Sequence, residues 1–477
     1  MLRNLMIAAS ALALAACATG PDYAAPQTSS AAAGKFVAAT GPAVDPLAPV
    51  QGEWWKLYDD PVLDQLIADA QAANTDIRVA VARLDKARAA LRAVKTDRLP
   101  DVGVSAGANY GRSPALQRPP GAPREDWSID AGLNVAYEVD LFGRVSRGVE
   151  AARGDLGAAE ADVEAVRVAI TAETARAYAD AAATAERIAV AERIVALLDR
   201  SLGLTERRHQ VGLTTSLDTA RIATLRNQRR ADIPALAAER DAALFRLATL
   251  TGRAPADLPQ IAAQRVATLR LDQPIPVGDG AQLLARRPDV RAAERRLAAS
   301  TARIGVATAD LYPRITFGAS IGSTGPDIGD VFGGGPLRWL LGSLLNWSFT
   351  DHARARAQVA GAEADSRAAL AEFDGTVLRA LQETETALSA YARTLDRRIA
   401  LQAARDAAEK AARIVRAQQR EGQVDGLVLL DAERSFAEAE AELAAIDAGI
   451  AGAQINLFKA LAGGWRSGRS PDRSPAH

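Results

Sequence analysis

The sequence predicts a mixed α/β membrane fold in which very long helices are joined to a few membrane-type β-strands, the whole arrangement being written twice in one chain. Three observations predict it. The first is an internal repeat, which decides the fold before any local pattern does. Asp76-Ile77-Arg78 leads through a helical stretch to Leu99-Pro100, and Asp289-Val290-Arg291 leads through an equal stretch to Tyr312-Pro313. Gly212-Leu213 likewise answers to Gly422-Gln423, and Leu250-Thr251-Gly252 to Leu461-Ala462-Gly463, so one ancestral half was duplicated. The second observation is that the side-chain period changes to two just after each proline. The third is the length of the helical stretches, rich in Ala and poor in aromatics, which suits close-packed helices better than one bulky core.

At the N-terminus, Arg3 and the apolar run Leu5 to Ala16 form a signal peptide (1–16), too short to span a bilayer. It ends in Leu14-Ala15-Ala16-Cys17, a lipobox in which Cys17 becomes the acylated first residue of the mature chain. Cys17 is the only cysteine, so no internal disulfide can form. Ala18 rather than Asp follows it, as in bacterial lipoproteins released to the outer membrane. An acyl chain anchors a protein without a transmembrane helix. Residues 17–50, rich in Ala, Pro, Thr and Ser, read as an extended tether.

The first repeat (51–252) opens with Trp54-Trp55 and Asp60-Pro61, then helices over 61–73 and 76–97 that stop at Pro100. Strands follow at about 101–112 and 127–140. In the second of these Trp127, Ile129, Ala131, Leu133, Val135, Tyr137 and Val139 oppose Ser128, Asp130, Gly132, Asn134 and Glu138. The second repeat (281–465) supplies strands at about 314–323 and 341–350. Each is near the length of a tilted transmembrane strand, with one apolar face and one small, polar face. Four strands cannot close a membrane barrel, and open edges are not tolerated in lipid, so the chain must oligomerise. Two copies would give eight strands and a filled lumen; three would give twelve and a pore.

A helix over 145–209 would measure about 97 Å at 1.5 Å per residue, close to the combined length of helices over 76–97 and 214–251. The second half repeats the match with 354–420 against 289–311 and 425–462. Ile188, Ala191, Val195, Leu198 and Leu202 keep the spacing of a coiled-coil seam, as do Leu443, Ile446, Ile450, Ala453 and Leu457. Pro234 should kink its helix. Residues 253–280 connect the repeats and 466–477 read as a disordered tail.

Gly212 and Gly422 sit where paired helices turn, the position at which glycine ends a helix. Thr215 with Asp218 fits a capping box, and Asp425 an N-cap. Asp431 lies too far into its helix to cap it. A net charge of −1 excludes a basic nucleic-acid surface. The three histidines have no metal-ligand spacing, no nucleophile elbow occurs, and no P-loop is present, so a lipid-anchored hydrolase is disfavoured and any energy comes from elsewhere.

Together these residues resemble a TolC/OprM-type outer-membrane factor of the NodT-like lipoprotein branch. The resemblance rests on Cys17 followed by Gly20-Pro21-Asp22-Tyr23, on Trp54-Trp55 with Asp60-Pro61, on Glu138-Val139-Asp140-Leu141-Phe142-Gly143-Arg144 with its weaker echo at Phe349-Thr350-Asp351 and Arg354, and on the two tips. It implies a homotrimer with a twelve-stranded outer-membrane β-barrel, four strands per chain, continuous with a periplasmic α-helical barrel. It further implies an exit duct for a tripartite efflux system, docked to a periplasmic adaptor and energised by an inner-membrane transporter of the resistance-nodulation-division (RND) type. Val211, Gly212, Leu213, Gly422, Gln423 and Val424 would then form adaptor-contact tips. Asp431 would form an acidic ring at the aperture, with Arg208, Arg420 and Arg434 as gate partners. Val428 stands where TolC has an earlier acid, so only one ring is expected. No cofactor is implied beyond lipid on Cys17. A duct for type I protein secretion, or a periplasmic adaptor lipoprotein, is the alternative reading.

Overall fold

The computed structural model describes residues 19–48, 52–114, 116, 120–121, 123–329, 337–347 and 352–462. Cys17 lies outside them, as do Phe349, Thr350, Asp351 and the tail. The elements are β1 (Val44–Asp45), α1 (Pro61–Ala73), α2 (Thr75–Thr96), β2 (Asp101–Arg112), β3 (Glu125–Val139), α3 (Arg144–Gln210) and α4 (Ser216–Leu250). After a loop come β4 (Ile275–Pro276), α5 (Gly280–Arg286), α6 (Pro288–Ala309), β5 (Arg314–Gly325), β6 (Leu337–Asn346), α7 (His352–Arg420) and α8 (Gly426–Ala460). The duplication is metric: α2 and α6 have 22 residues each, α4 and α8 have 35 each, and α3 and α7 have 67 and 69. α4 continues as one helix through Pro234.

The chain divides into two compact units that do not follow the repeats, because each unit takes segments from both halves. The first comprises the described parts of Met1–Pro26, Arg83–Glu160 and Arg291–Gly375. Its centre is an antiparallel sheet in the order β2-β3-β5-β6. The register puts like with like. Leu133 pairs with Val104 and Ile321, Val135 with Val102 and Ala319, and Tyr137 with Phe317 on one face. Asn134 pairs with Gly103 and Ser320, and Asp130 with Gly107 and Thr324, on the other. Side chains obey this division: Tyr110 and Trp127 lie 5.6 Å apart on the apolar face, and Asn134 Nδ2 donates to Ser105 Oγ (2.9 Å) on the polar one. The apolar side chains point into open space, Val104 at 83% and Trp339 at 73% exposure.

Among the described residues β6 runs from Leu337 to Asn346, so it begins before the expected 341, while 348–350 of the expected strand lie outside the described residues. It pairs with β5 from Ser323 against Leu337 through Arg314 against Asn346. The doublets Leu340-Leu341 and Leu344-Leu345 obscure the alternation that marks the other strands, so period alone misplaces it.

The second unit comprises Gln27–Ala82, Ala161–Val290 and the described part of Thr376–His477. Trp54 is fully buried and stacks on Phe458 at 4.7 Å. Asp60 begins α1 by accepting from Val62 N and Leu63 N, Pro61 occupying the first turn where no amide is missed. The buried Asp60 carboxylate also accepts from Tyr178 Oη (3.1 Å) and Arg265 Nη1 (2.7 Å). Burial, then the Asp60 charge, raises the Tyr178 pKa above its ordinary value, keeping the phenol a donor. Part of the expected tether is packed here: Phe36 and Val44 are buried, the amides of Val37 and Ala38 bond Glu385, and β1 pairs with β4.

The buried stripe on α3 is Val190, Ile194 and Leu198, packed with Leu225 of α4 and Ala437 of α8. Leu198 and Leu202 of the expected seam are buried, whereas Ile188, Ala191 and Val195 are only half-buried, Val190 and Ile194 taking the buried positions before Leu198. Among the described residues no helix is long and apolar enough to cross a membrane.

Candidate functional site

Three places carry the expected functional residues: the hairpin tips, the helix just beyond them, and the foot of the sheet. At the first tip α3 ends with Gly212 N donating to His209 O (2.9 Å) and Leu213 N to Arg208 O (2.8 Å). This is the paired closure of a Schellman motif, and it needs a left-handed residue, which Gly212 supplies at φ +78. The second tip repeats it at Gly422, φ +75, with Gly422 N to Gln419 O (3.2 Å) and Gln423 N to Gln418 O (2.9 Å). α4 then starts from a reciprocal box between Thr215 and Asp218, and α8 from Asp425, whose carboxylate accepts from Leu427 N and Val428 N, both at 3.0 Å. Both turns are thus determined locally, and each spends its backbone donors on its own caps.

The tips are neighbours. Arg208 Nη1 donates to Gln419 O at 2.5 Å, and a Cβ added at Gly426 would stand 3.0 Å from Asp218 Cγ. Val211, Leu213 and Leu217 of one tip and Leu427 and Val428 of the other are exposed, whereas Val424 is half-buried. The two turns thus each present exposed apolar side chains on neighbouring tips.

Asp431 is exposed (65%) and pairs within α8 with Arg434 Nη2 at 2.7 Å. Arg208 is committed to Gln419, and Arg420 Nε turns back to Arg416 O at 3.4 Å, so among the described residues Arg434 is the gate candidate that pairs with Asp431. Sequence reasoning missed the stronger group beside it. Glu433 is buried, accepts two bonds from Arg416 (2.7 and 2.8 Å), and takes a third from Ser201 Oγ at 3.1 Å. Those bonds to Glu433 raise the Arg416 pKa, which keeps the guanidinium a charged donor. It ties α3, α7 and α8 together close to the tips. A signal existed: Leu429, Glu433 and Ala437 share one buried stripe, and an acid inside such a stripe needs a partner.

At the foot of the sheet, Arg144 clamps Glu138 through two 2.7 Å bonds, Asp140 caps α3 at Val145 N and Ser146 N, and Phe142 stacks on Tyr312 at 4.5 Å. The start of the described chain is pinned there. Thr19 Oγ1 donates to Phe142 O (2.9 Å), and Arg147 Nη2 donates to Asp22 Oδ1 (2.6 Å). Gly20 admits this close approach, since a Cβ would lie 2.5 Å from Gly305 Cα. Among the described residues no group of His, Cys, Asp or Glu could hold a metal ion.

Comparison with known proteins accords with this geometry. The family model described as outer membrane efflux protein matches residues 66–253 and again 280–463, one block per repeat. The chain is 32% identical over 466 residues to the outer membrane protein OprJ of Pseudomonas aeruginosa, covering 96% of this chain and 95% of that protein. It is 31% identical over 472 residues to the antibiotic efflux pump outer membrane protein ArpC of Pseudomonas putida, covering 97% and 95%. Among solved structures, the outer-membrane channel OprN superposes with a TM-score of 0.88 at 36% identity, over 94% of this chain and all of that one. The open state of the MtrE outer membrane channel of Neisseria gonorrhoeae gives 0.82 at 28% identity, over 94% and 98%.

Proposed function

Because this chain belongs to the outer membrane efflux protein family, we propose that it is the passive outer-membrane exit duct of a tripartite, RND-type efflux system for small molecules or metal ions. The carrying observation is the sheet: four strands with one exposed apolar face and two edges, β2 and β6, left unpaired among the described residues. Lipid tolerates neither open edges nor an incomplete barrel. Three copies give twelve strands, a lumen lined by the polar face and an outer surface of Val104, Leu133, Tyr137, Phe317 and Trp339. The long helices then form the periplasmic barrel. Its adaptor-contact tips are Val211–Leu213 and Gly422–Val424, stiffened by the caps at Thr215, Asp218 and Asp425. Asp431 contributes a ring of carboxylates at the aperture, with Arg434 as its partner within the chain and Arg208 and Arg420 as further candidates that only an assembled ring would bring to it. Cys17 carries the acyl anchor, and the bonds of Thr19 and Asp22 to the foot of the sheet support that placement, two residues from the lipid at the membrane edge.

The test has one preparation and several readouts. The protein in mild detergent should have the mass of three chains plus a micelle, and should conduct ions in planar bilayers. Asp431→Asn should lower cation preference, whereas Asp365→Asn, on α7 away from the tips, should not. Fatty-acid labelling should disappear in Cys17→Ser. A folded monomer, or a trimer that does not conduct, overturns the duct; equal responses at Asp431 and Asp365 overturn the ring alone.

A further inference from the structure

The polar face of the sheet has an anomaly at one edge. Where β3 and β5 carry Asp130, Asn134, Ser320 and Thr324, the edge strand β6 places Leu340 and Leu344 on the same face, 69% and 60% exposed. Arg338 shows that this assignment of faces is right, since it reaches Asp130 across β5 (3.8 Å). The opposite edge, β2, is its complement: on this face it carries Gly103, Gly107 and Gly111, each four residues from the next, as the two leucines are.

We propose that β6 of one chain zips onto β2 of a second copy in a single register, with Leu344 packed over Gly107 and Leu340 over Gly111. This rests on the assembly proposed above and adds which residue meets which. The internal duplication supplies the register. Gly107 and Ser320 stand at the same distance from Pro100 and Pro313, as do Gly111 and Thr324. Gly103 and Thr316 correspond in the same way.

Within the hairpins Gly107 pairs with Asp130 and Ser320 with Leu340, so Asp130 corresponds to Leu340. Gly103 pairs with Asn134 and Thr316 with Leu344, so Asn134 corresponds to Leu344. Between the repeats, Asp130 pairs with Thr324 and Asn134 with Ser320. Carrying that junction to the edges pairs Leu340 with Gly111 and Leu344 with Gly107.

The space over the two glycines differs: a Cβ at Gly107 would stand 3.2 Å from Asp130 Oδ1, so Leu344 packs beside that carboxylate, whereas Gly111 is open. A large side chain lying over a cross-strand glycine covers backbone that would otherwise stay exposed. An added Cβ at Gly111 meets nothing within 4 Å, so the space for Leu340 exists. On the apolar face the same register sets Leu341 against Tyr110 and Leu345 against Ala106. A slip of one residue would turn the leucines against the apolar face and is excluded by pattern. A slip of four would leave a leucine facing a glycine and must be excluded by experiment. The junction inside the chain is thus polar, whereas the junction between chains is a large-to-small apolar seam.

Disulfide trapping in membranes tests this with the full chain, Cys17 retained and single-cysteine variants giving the background. Leu344→Cys with Gly107→Cys should form covalent dimers and trimers on mild oxidation, about tenfold more than Leu344→Cys with Gly103→Cys or Gly111→Cys, because a disulfide tolerates little displacement. Leu340→Cys with Gly111→Cys is the independent second pair should the first fail to assemble. Stronger cross-linking at a slipped pair, in a protein that is still a trimer in detergent, overturns the register and leaves the duct standing. So does a trimer in which a thiol at 344 reacts with a membrane-impermeant maleimide as fast as in the denatured chain, which would assign the leucines to cargo in the lumen. A folded monomer overturns seam and duct together.

Discussion

The sheet and the helical core around Trp54 are built from similar apolar residues but end in opposite states. In the core, Trp54 stacks on Phe458, Tyr58 and Tyr391 share Gln454, and Asp60 holds Tyr178 and Arg265. In the sheet, Val104, Trp339 and Leu341 are exposed and both edges are unpaired among the described residues. One region buries its apolar side chains within the chain, and the other leaves them exposed for the membrane and the assembly proposed above. The same hydrophobic side chain therefore stabilises the fold in one place and specifies the environment in the other.

That contrast can be broken most forcefully in the core. Phe458→Ala removes the ring stacked on Trp54 and should cost about 3–5 kcal/mol, read as a lower denaturation midpoint of the helical circular-dichroism signal. A loss under about 1 kcal/mol would mean that this core relaxes around the cavity rather than holding the unit. In the sheet, Leu133→Arg should cost about 2–4 kcal/mol where it faces the bilayer midplane, while Asn134→Arg on the polar face is tolerated. The fraction of protein inserted into lipid vesicles measures it, and equal sensitivity at the two positions would refute the assignment of faces. The smallest effects belong to the tips. Asp425→Ala and Thr215→Ala should each cost about 1 kcal/mol, seen as faster amide exchange in the first turn of α8 or α4 with the sheet unaffected. If one repeat responds and the other does not, the two tips are not equivalent despite their shared hydrogen bonding.

Much of this architecture is legible in the residues alone. Pro100 and Pro313 mark where helix gives way to strand, and β2, β3 and β5 alternate because each has one face in a different medium. Gly212, Gly422, Thr215 and Asp425 announce helix ends because capping is settled within a few residues. The leucine doublets of β6 hide its period, so its start is expected too late. On α3 the seam is right at Leu198 and Leu202 but off at Ile188, Ala191 and Val195, because several apolar stripes satisfy the same spacing.

By itself, then, the sequence determined what depends on near neighbours: the duplication, the periods and the turns. Only the tertiary structure decided the partners of Glu433, the clamp of Arg147 on Asp22, the packing of Phe36, the pairing of β1 with β4 and the register of β6 on β5. The reason is physical. Capping and periodicity act over one or two turns of chain, whereas an ion pair or a strand register is fixed by side chains hundreds of residues apart, chosen by burial that no local spacing records.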